Sequence, residues 1–565
     1  MNTRIRRWSR RTAVAASVLV AVGLTTPAES VTPGAFGSAV ALSGSGIPYW
    51  FPTAATLVDG STAVAWSDAG LAAVNVRLRK SGSSTFGSTL THFLSGPGTL
   101  LTTSPGDAPP ITVVADGPAN FLLGWTTCEG TCHVVVATIG SNAASLPLQY
   151  PVSGSDVAIS PARFATSPDG SAAAVWYISG SSGIKIRMSH RVGVAGAWSA
   201  PVTVGSSSVP LLAQVAMDSS NSITVAWVST TGSEFETLVR SLVGSTWSYT
   251  IIAGTWPSSA YDGLTSPTSL ASGGASTILA TVDSTGGSSL YSGVAEATAI
   301  RILQRAASSA PWTTVSTTFA GPGRYAAVPQ LAMNSAGGAV LRYEDYSDGL
   351  FGPGQPTLVT TRVTQRTSTA GAWSSPITID AVAVDSIGYF EYPQLTPALA
   401  ADGQYLTAHV VPVSNGASGT MAGIGLQLRS TWSAGYVVGP IVSTLSGPHH
   451  AVSLIDPAGR AAVAYLDSTA KVSVQSSALP KPFVRSAAKV AAAPHKGVNV
   501  TCSSAWTDAA SVAYRWLRNG GLIAGPVAAT YKPVAADVGK KLSCRVTGKN
   551  LTGSTVSTSA GRTVT

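Results

Sequence analysis

The sequence predicts an all-β chain: a β-propeller of eight small blades, with seven as the alternative count, followed by a small β-sandwich. Three observations carry this. A turn centred on Asp-Gly or a near equivalent recurs eight times, each time ahead of an apolar strand. Charged residues make up only 10% of the chain while Gly numbers 58, a profile of short strands and turns. Two cysteines bracket a tryptophan near the C-terminus, the pattern of two sheets joined across a core.

In chain order, the first 28 residues read as an export signal. Arg4, Arg6, Arg7, Arg10 and Arg11 precede an apolar run from Ala13 to Leu24, then Thr26-Pro-Ala28. That run is too short for an ordinary membrane span, and no later segment is long enough. Removing residues 1–28 takes away five Arg and no acid, so Lys+Arg falls from 34 to 29 against 25 Asp+Glu. A net charge reduced from +9 to +4 gives little reason to expect a nucleic-acid partner. The expected product is secreted, monomeric and without a membrane span. Its four cysteines then read as two disulfides, Cys128/Cys132 and Cys502/Cys544.

Residues 29–479 hold the repeat. The turn falls at Asp59, Asp116, Asp169, Asp218, Ser272, Asn334, Asp402 and Asp456, at spacings of 49 to 68 residues. One copy shows all four strands: Pro161–Pro168 before the turn, Ser171–Trp176 after it, Ile184–Ser189, and Gly196–Val204. Asp-Gly between alternating apolar residues is a hairpin cue. Arginine recurs late in the third strand, at Arg77, Arg187, Arg240 and Arg429. Tryptophan recurs at the start of the fourth, at Trp198, Trp247, Trp312, Trp373 and Trp432. The eighth copy lacks a fourth strand, whereas Gly34–Leu42 precedes the first copy. An N-terminal strand that completes the last blade would close the ring and cover both edges. Seven blades is the alternative because the copy around residues 267–320 is the least regular.

These units resemble the propeller repeats of sialidase-like (BNR-type) secreted bacterial proteins. That family's Asp-box, Ser-x-Asp-x-Gly-x-x-Trp, is approximated by Ser167-Pro-Asp-Gly-Ser-Ala-Ala-Ala-Val-Trp176. Its Arg-Ile-Pro signature is missing, since Gly46-Ile47-Pro48 lacks the arginine, and this argues against sialidase chemistry. Residues 480–486 read as a linker. Residues 487–565, with Cys502, Trp516, Cys544 and the run Asp537-Val-Gly-Lys-Lys-Leu-Ser-Cys544, resemble the Ig-like modules appended to secreted actinobacterial proteins. Leu542 replaces the corner tyrosine of that motif.

Topology sorts the connections onto two faces. Turns between first and second strands hold the recurring acids, which reads as a turn role. The opposite face carries aromatics and acids that do not recur in the sequence. Its candidate ligand-binding residues are Tyr49, Trp50, Trp256, Tyr261, Tyr325, Glu344, Asp345, Tyr389, Glu391 and Tyr392. Rings stack on apolar sugar faces and acids accept hydroxyl hydrogen bonds, which points to a glycan or an extracellular protein as ligand. Glycoside hydrolysis or lyase chemistry is the alternative, with Glu344 and Glu391 as catalytic candidates, and a structural cell-surface role is the third. No cofactor or metal is expected. Calcium at Glu344, Asp345 and Asp348 would lack the spaced acidic loop of a calcium site.

Overall fold

The computed structural model describes residues 36–565 except 45–51, 69, 95–98, 102–109, 148–149, 182, 210–212, 233, 258–266, 285–297, 320–323, 348–356, 385–394, 401–402, 415–419, 430–431, 433–436, 444–450, 457, 468, 470, 479–480, 510 and 551–552. The chain is all-β, built of many small antiparallel sheets. Eight of them follow one another along the chain. In the first seven, strands A, B, C and D follow one another across the sheet in sequence order; the eighth differs in its outer strand. Sheet 3 shows the plan: Arg163–Thr166, Ala172–Gly180, Gly183–Arg191 and Val202–Ser207. The irregular stretch around residues 267–320 also holds four strands, from Thr268–Gly273 to Thr313–Phe319.

Strand A of each sheet packs against strand A of the next, and Ala451–Ile455 of sheet 8 packs against Thr53–Thr56 of sheet 1. The apolar cores follow the same cycle. Between sheets 1 and 2 lie Val76, Phe121 and Trp125; between sheets 8 and 1 lie Val64, Trp66 and Val474. Both faces of each sheet are therefore apolar, which is why strand B reads as continuous buried runs such as Thr62–Ser67. Sheet 8 takes its outer strand from the other end of the chain: Val40 pairs with Val474 and Ala41 with Ser473.

Two further sheets follow residue 480. One contains Phe483–Val490 and Val500–Thr507; the other contains Ser511–Arg518 and Lys541–Asn550. The Cys502–Cys544 bridge joins them, with Trp516 fully buried in the same core as the register partner of Cys544. The stretch expected as a linker, 480–486, enters strand structure at Phe483, where Val484 pairs with Trp506.

Candidate ligand-binding face

Strand register builds a rim. In sheet 3, strand A reaches only as far as Val175, whereas the B–C hairpin continues to Gly180 paired with Gly183. In sheet 4, strand A stops at Ala226 and the hairpin continues to Thr231 paired with Glu234. Five extra residues per strand carry each hairpin about 16 Å past the end of strand A at about 3.3 Å per residue, and in sheet 3 the preceding segment follows part of the way, with Ala158 bridging Ile178. Sheet 2 carries its hairpin to Glu129–Thr131, four residues past strand A, where Thr99–Leu100 pairs with it on the inner side; the Cys128–Cys132 disulfide clamps the tip, with the two Cα atoms 3.9 Å apart. The rim is uneven. Sheet 8 ends one residue beyond its strand A, and in sheet 6 strand A runs the whole height, from Arg324 paired with Ser347.

Four of the acids described on this face are held by arginines, whereas Asp68 and Asp467 accept from amides of their own loops. In sheet 5, Asp283 on strand B pairs with Arg301 on strand C. In sheet 6, Asp345 accepts from Arg362 Nε at 2.7 Å. Each arginine lies two residues beyond the register partner of its acid, Ala299 and Thr360 respectively. The two pairs thus occupy one repeated position, although the sequence reading treats these acids as non-recurring. The variable B–C loop hides the repeat from spacing alone. Arg187 of sheet 3 holds Asp156 at 2.7 Å. Glu344 is buried and accepts from Arg342 NH2 at 2.6 Å. Adjacent on one strand, Glu344 and Asp345 point to opposite faces, each onto an arginine.

Trp256 corrects an expectation. It is 1% exposed and stacks on Phe235, its register partner, with ring centroids 5.8 Å apart. It belongs to the core between sheets 4 and 5 and offers no stacking surface to a ligand. Tyr325 lies in strand A of sheet 6 opposite Tyr346. Tyr49, Trp50, Tyr261, Tyr389, Glu391 and Tyr392 lie outside the described residues.

The turn face shows what the recurring residues do. Asp116 of sheet 2 is buried and pairs with Arg191 of sheet 3; Asp218 of sheet 4 pairs with Arg305 of sheet 5 at 3.5 Å. Burial pushes the Asp116 carboxyl up, and Arg191 offsets part of that rise. The arginine also lies over an aromatic ring seven residues later: Arg79 over Phe86, Arg191 over Trp198, Arg240 over Trp247, Arg305 over Trp312 and Arg366 over Trp373. At Arg191 and Arg305 one cation therefore joins an acid of the preceding sheet to the ring that opens its own strand D. In sheets 1 and 3 the arginines over the rings are Arg79 and Arg191, further along strand C than Arg77 and Arg187. Where sheet 5 has Ser272 instead of an acid, Arg366 bonds Gln304, and burial lowers its guanidinium to about 10.

A cavity of about 490 Å³ also opens on the turn face. Val58, Gly117, Pro168, Met217 and Met333 line it, and Arg485 reaches its wall from the strand Phe483–Val490. The sequence reading did not anticipate this cavity, because its lining comes from turns of several sheets plus a residue placed in a linker.

No protein-family model and no curated protein matches the chain. Among solved structures, a fungal alcohol oxidase of the AA5 family in complex with copper is 12% identical, with a TM-score of 0.37, over 93% of this chain and 99% of that one. The polysaccharide lyase Uly1 is 8% identical, with a TM-score of 0.38, over 78% and 99% of the two chains. The Hadza microbial sialidase Hz136 is 13% identical, with a TM-score of 0.31, over 63% and 73%. Likenesses this slight carry no argument about chemistry.

Proposed function

We propose that the chain is an exported binding protein: an eight-bladed β-propeller over residues 29–479 that holds a glycan on its rimmed face, followed by an Ig-like domain over residues 487–565. The engagement of Asp283, Glu344 and Asp345 carries this reading. Glu344, Asp345 and Asp283 are each tied to an arginine, so they serve as structural ties and are poorly placed to shuttle protons. In this reading Tyr49, Trp50, Tyr261, Tyr325, Tyr389 and Tyr392, with Glu391, are the ligand contacts that the sequence proposes for that face. Residues 1–28 are the export signal in this reading, and the two disulfides fit an oxidising compartment. No helix among the described residues is long and apolar enough to cross a membrane.

The test is a glycan array followed by incubation of each hit with the protein. Binding without new reducing ends or unsaturated products is the expected result, and Tyr389→Ala together with Tyr392→Ala should lower it at least tenfold. Turnover of a bound polysaccharide, abolished by Glu391→Gln, would replace this reading with the hydrolase or lyase alternative.

A further inference from the structure

The cavity on the turn face combines an apolar interior with a single cation. Turns of sheets 1 to 6 all contribute to its wall, from Val58 in sheet 1 to Met333 in sheet 6, so it lies at the centre of that face. Its volume of about 490 Å³ falls in the range of small-molecule sites. Polar side chains of the ring serve the turns themselves. Thr166 Oγ1 donates to Ala115 O at 2.6 Å, Asn334 Oδ1 accepts from the amides of Ala336 and Gly338, and Asn334 Nδ2 donates to Ala400 O at 3.1 Å. Val58, Pro118, Pro168, Met217 and Met333 leave the interior apolar. Among the described residues of the wall, Arg485 alone is charged, and it comes from the second domain.

Local backbone geometry presents this arginine. Val484 pairs with Trp506 and Ser486 with Ala505, so Arg485 is the extra residue of a β-bulge. A bulge breaks the ordinary alternation of a strand and re-aims a side chain. Contacts beside the cavity hold the second domain against sheet 1: Thr507 Oγ1 donates to Val58 O at 2.7 Å, and the Asp508 amide donates to Asp59 O at 3.0 Å. The Asp508 carboxyl group packs on Gly60, where a Cβ would lie 2.5 Å from Oδ1. Arg485 is exposed, at the cavity mouth, and no acid among the described residues engages it. Acids of the surrounding turns are committed to other groups: Asp59 to Ser61, Asp116 to Arg191, Asp169 to Ser171 and Asp218 to Arg305. An apolar hollow with one uncommitted cation at its mouth complements a molecule with an apolar body and one anionic end.

We propose that this cavity is a second ligand site, separate from the rimmed face, and that it takes a small organic acid. The carboxylate bonds Arg485 while the apolar body lies against Met217 and Met333. A guanidinium group meets a carboxylate with two parallel hydrogen bonds, and a neutral amide cannot reproduce that pairing. The wall belongs to both domains, so an occupant touches the ring and the second domain at once. Val58 both lines the cavity and accepts from Thr507. A ligand that binds only the docked arrangement therefore strengthens docking by mass action.

The experiment uses the full chain, with octanoate as the probe and octanamide as its uncharged counterpart. Titration calorimetry at neutral pH should give a single octanoate site, at least about tenfold tighter than for octanamide. Arg485→Met should bring octanoate down to the level of octanamide, and Arg485→Lys should keep part of the difference. The exposure of Arg485 leaves folding intact in both variants. Ser219→Trp tests the location: Ser219 is exposed and lines the cavity from sheet 4, so an indole there fills the space without altering Arg485. This variant should lose octanoate binding. Hydrogen exchange gives a second readout, since octanoate should slow exchange of the Asp508 amide in the native chain and leave it unchanged in Arg485→Met. Equal affinity for the two probes, octanoate binding undiminished by Arg485→Met or by Ser219→Trp, no binding at millimolar concentration, or an Asp508 amide indifferent to octanoate would overturn the proposal.

Discussion

Replacing Arg191 with methionine tests whether the recurring acid–arginine pairs hold neighbouring sheets together. The substitution keeps much of the side chain's volume but removes its charge. Asp116 is then left at 0% exposure with Thr138 Oγ1 as its remaining hydrogen-bond partner, at 3.3 Å. Stranding one member of a buried pair costs about 3–5 kcal/mol. The lost contact between the guanidinium and the Trp198 ring, 5.5 Å from its centroid, adds about 0.5–2 kcal/mol at most. These terms overlap, so about 4 kcal/mol is the expected loss. Native-state hydrogen exchange across sheets 2 and 3 measures it where it acts, which matters in a chain too long for one all-or-none transition. The deficit should also depend on pH. Without Arg191 the folded-state value of Asp116 rises further, so its protonated form is tolerated at low pH and the deficit grows as pH climbs through that value. Combining Asp116→Leu with Arg191→Met should recover most of the loss. A loss below about 1 kcal/mol for Arg191→Met alone, with no pH dependence, would refute the idea that this pair carries the contact.

Three further outcomes follow from the same geometry. Gly124→Ala would place a Cβ 2.2 Å from the Phe164 ring, between sheets 2 and 3, and should destabilise by about 1–3 kcal/mol; Phe164→Leu in the same chain should recover part of this in urea unfolding. Cys502→Ala with Cys544→Ala should cost the C-terminal domain about 2–5 kcal/mol, read as a lowered thermal midpoint of that domain alone. Asp537 is pushed up by burial, but hydrogen bonds from the Val534 amide, Tyr531 and Arg518 outweigh this and hold it below the ordinary range. Its stabilising contribution is therefore present above the ordinary carboxylate value and lost as pH falls through the folded one, so Asp537→Asn should flatten the acid limb of an unfolding titration.

The repeat was legible because turns leave a strong local mark. Asp116 and Asp218 stand out as turn acids from spacing alone. Their arginine partners do not, because each lies on the next sheet, 75 residues away for Asp116 and Arg191. The pairs Asp283–Arg301 and Asp345–Arg362 escaped notice for a related reason: loops of different length separate acid from base, so only strand register shows that they repeat. Trp256 reads as a surface aromatic next to Pro257, yet its alternation with Thr255 turns it inward onto Phe235. The closing strand was legible from a missing element, the absent fourth strand of the last copy. The contact at Asp508 left no sequence mark, since its amide meets Asp59 O and its carboxyl group meets Gly60 in a turn about 450 positions earlier.

The pairing of Val40 with Val474 fixes the order in which the molecule is completed. A strand near the beginning of the chain waits for a partner more than 400 residues later, so sheets 1 to 7 are made while the seam remains open. Separation costs little in loop entropy at that length, since each doubling adds only about 0.6 kcal/mol. The demand falls on time instead: an unpaired edge must survive synthesis without finding another chain. Only two residues on each side form the regular pairing there, with a single bridge from Phe36 to Ser477 beyond it. The last joint made is thus a short one, and it is the natural place for the ring to reopen under load.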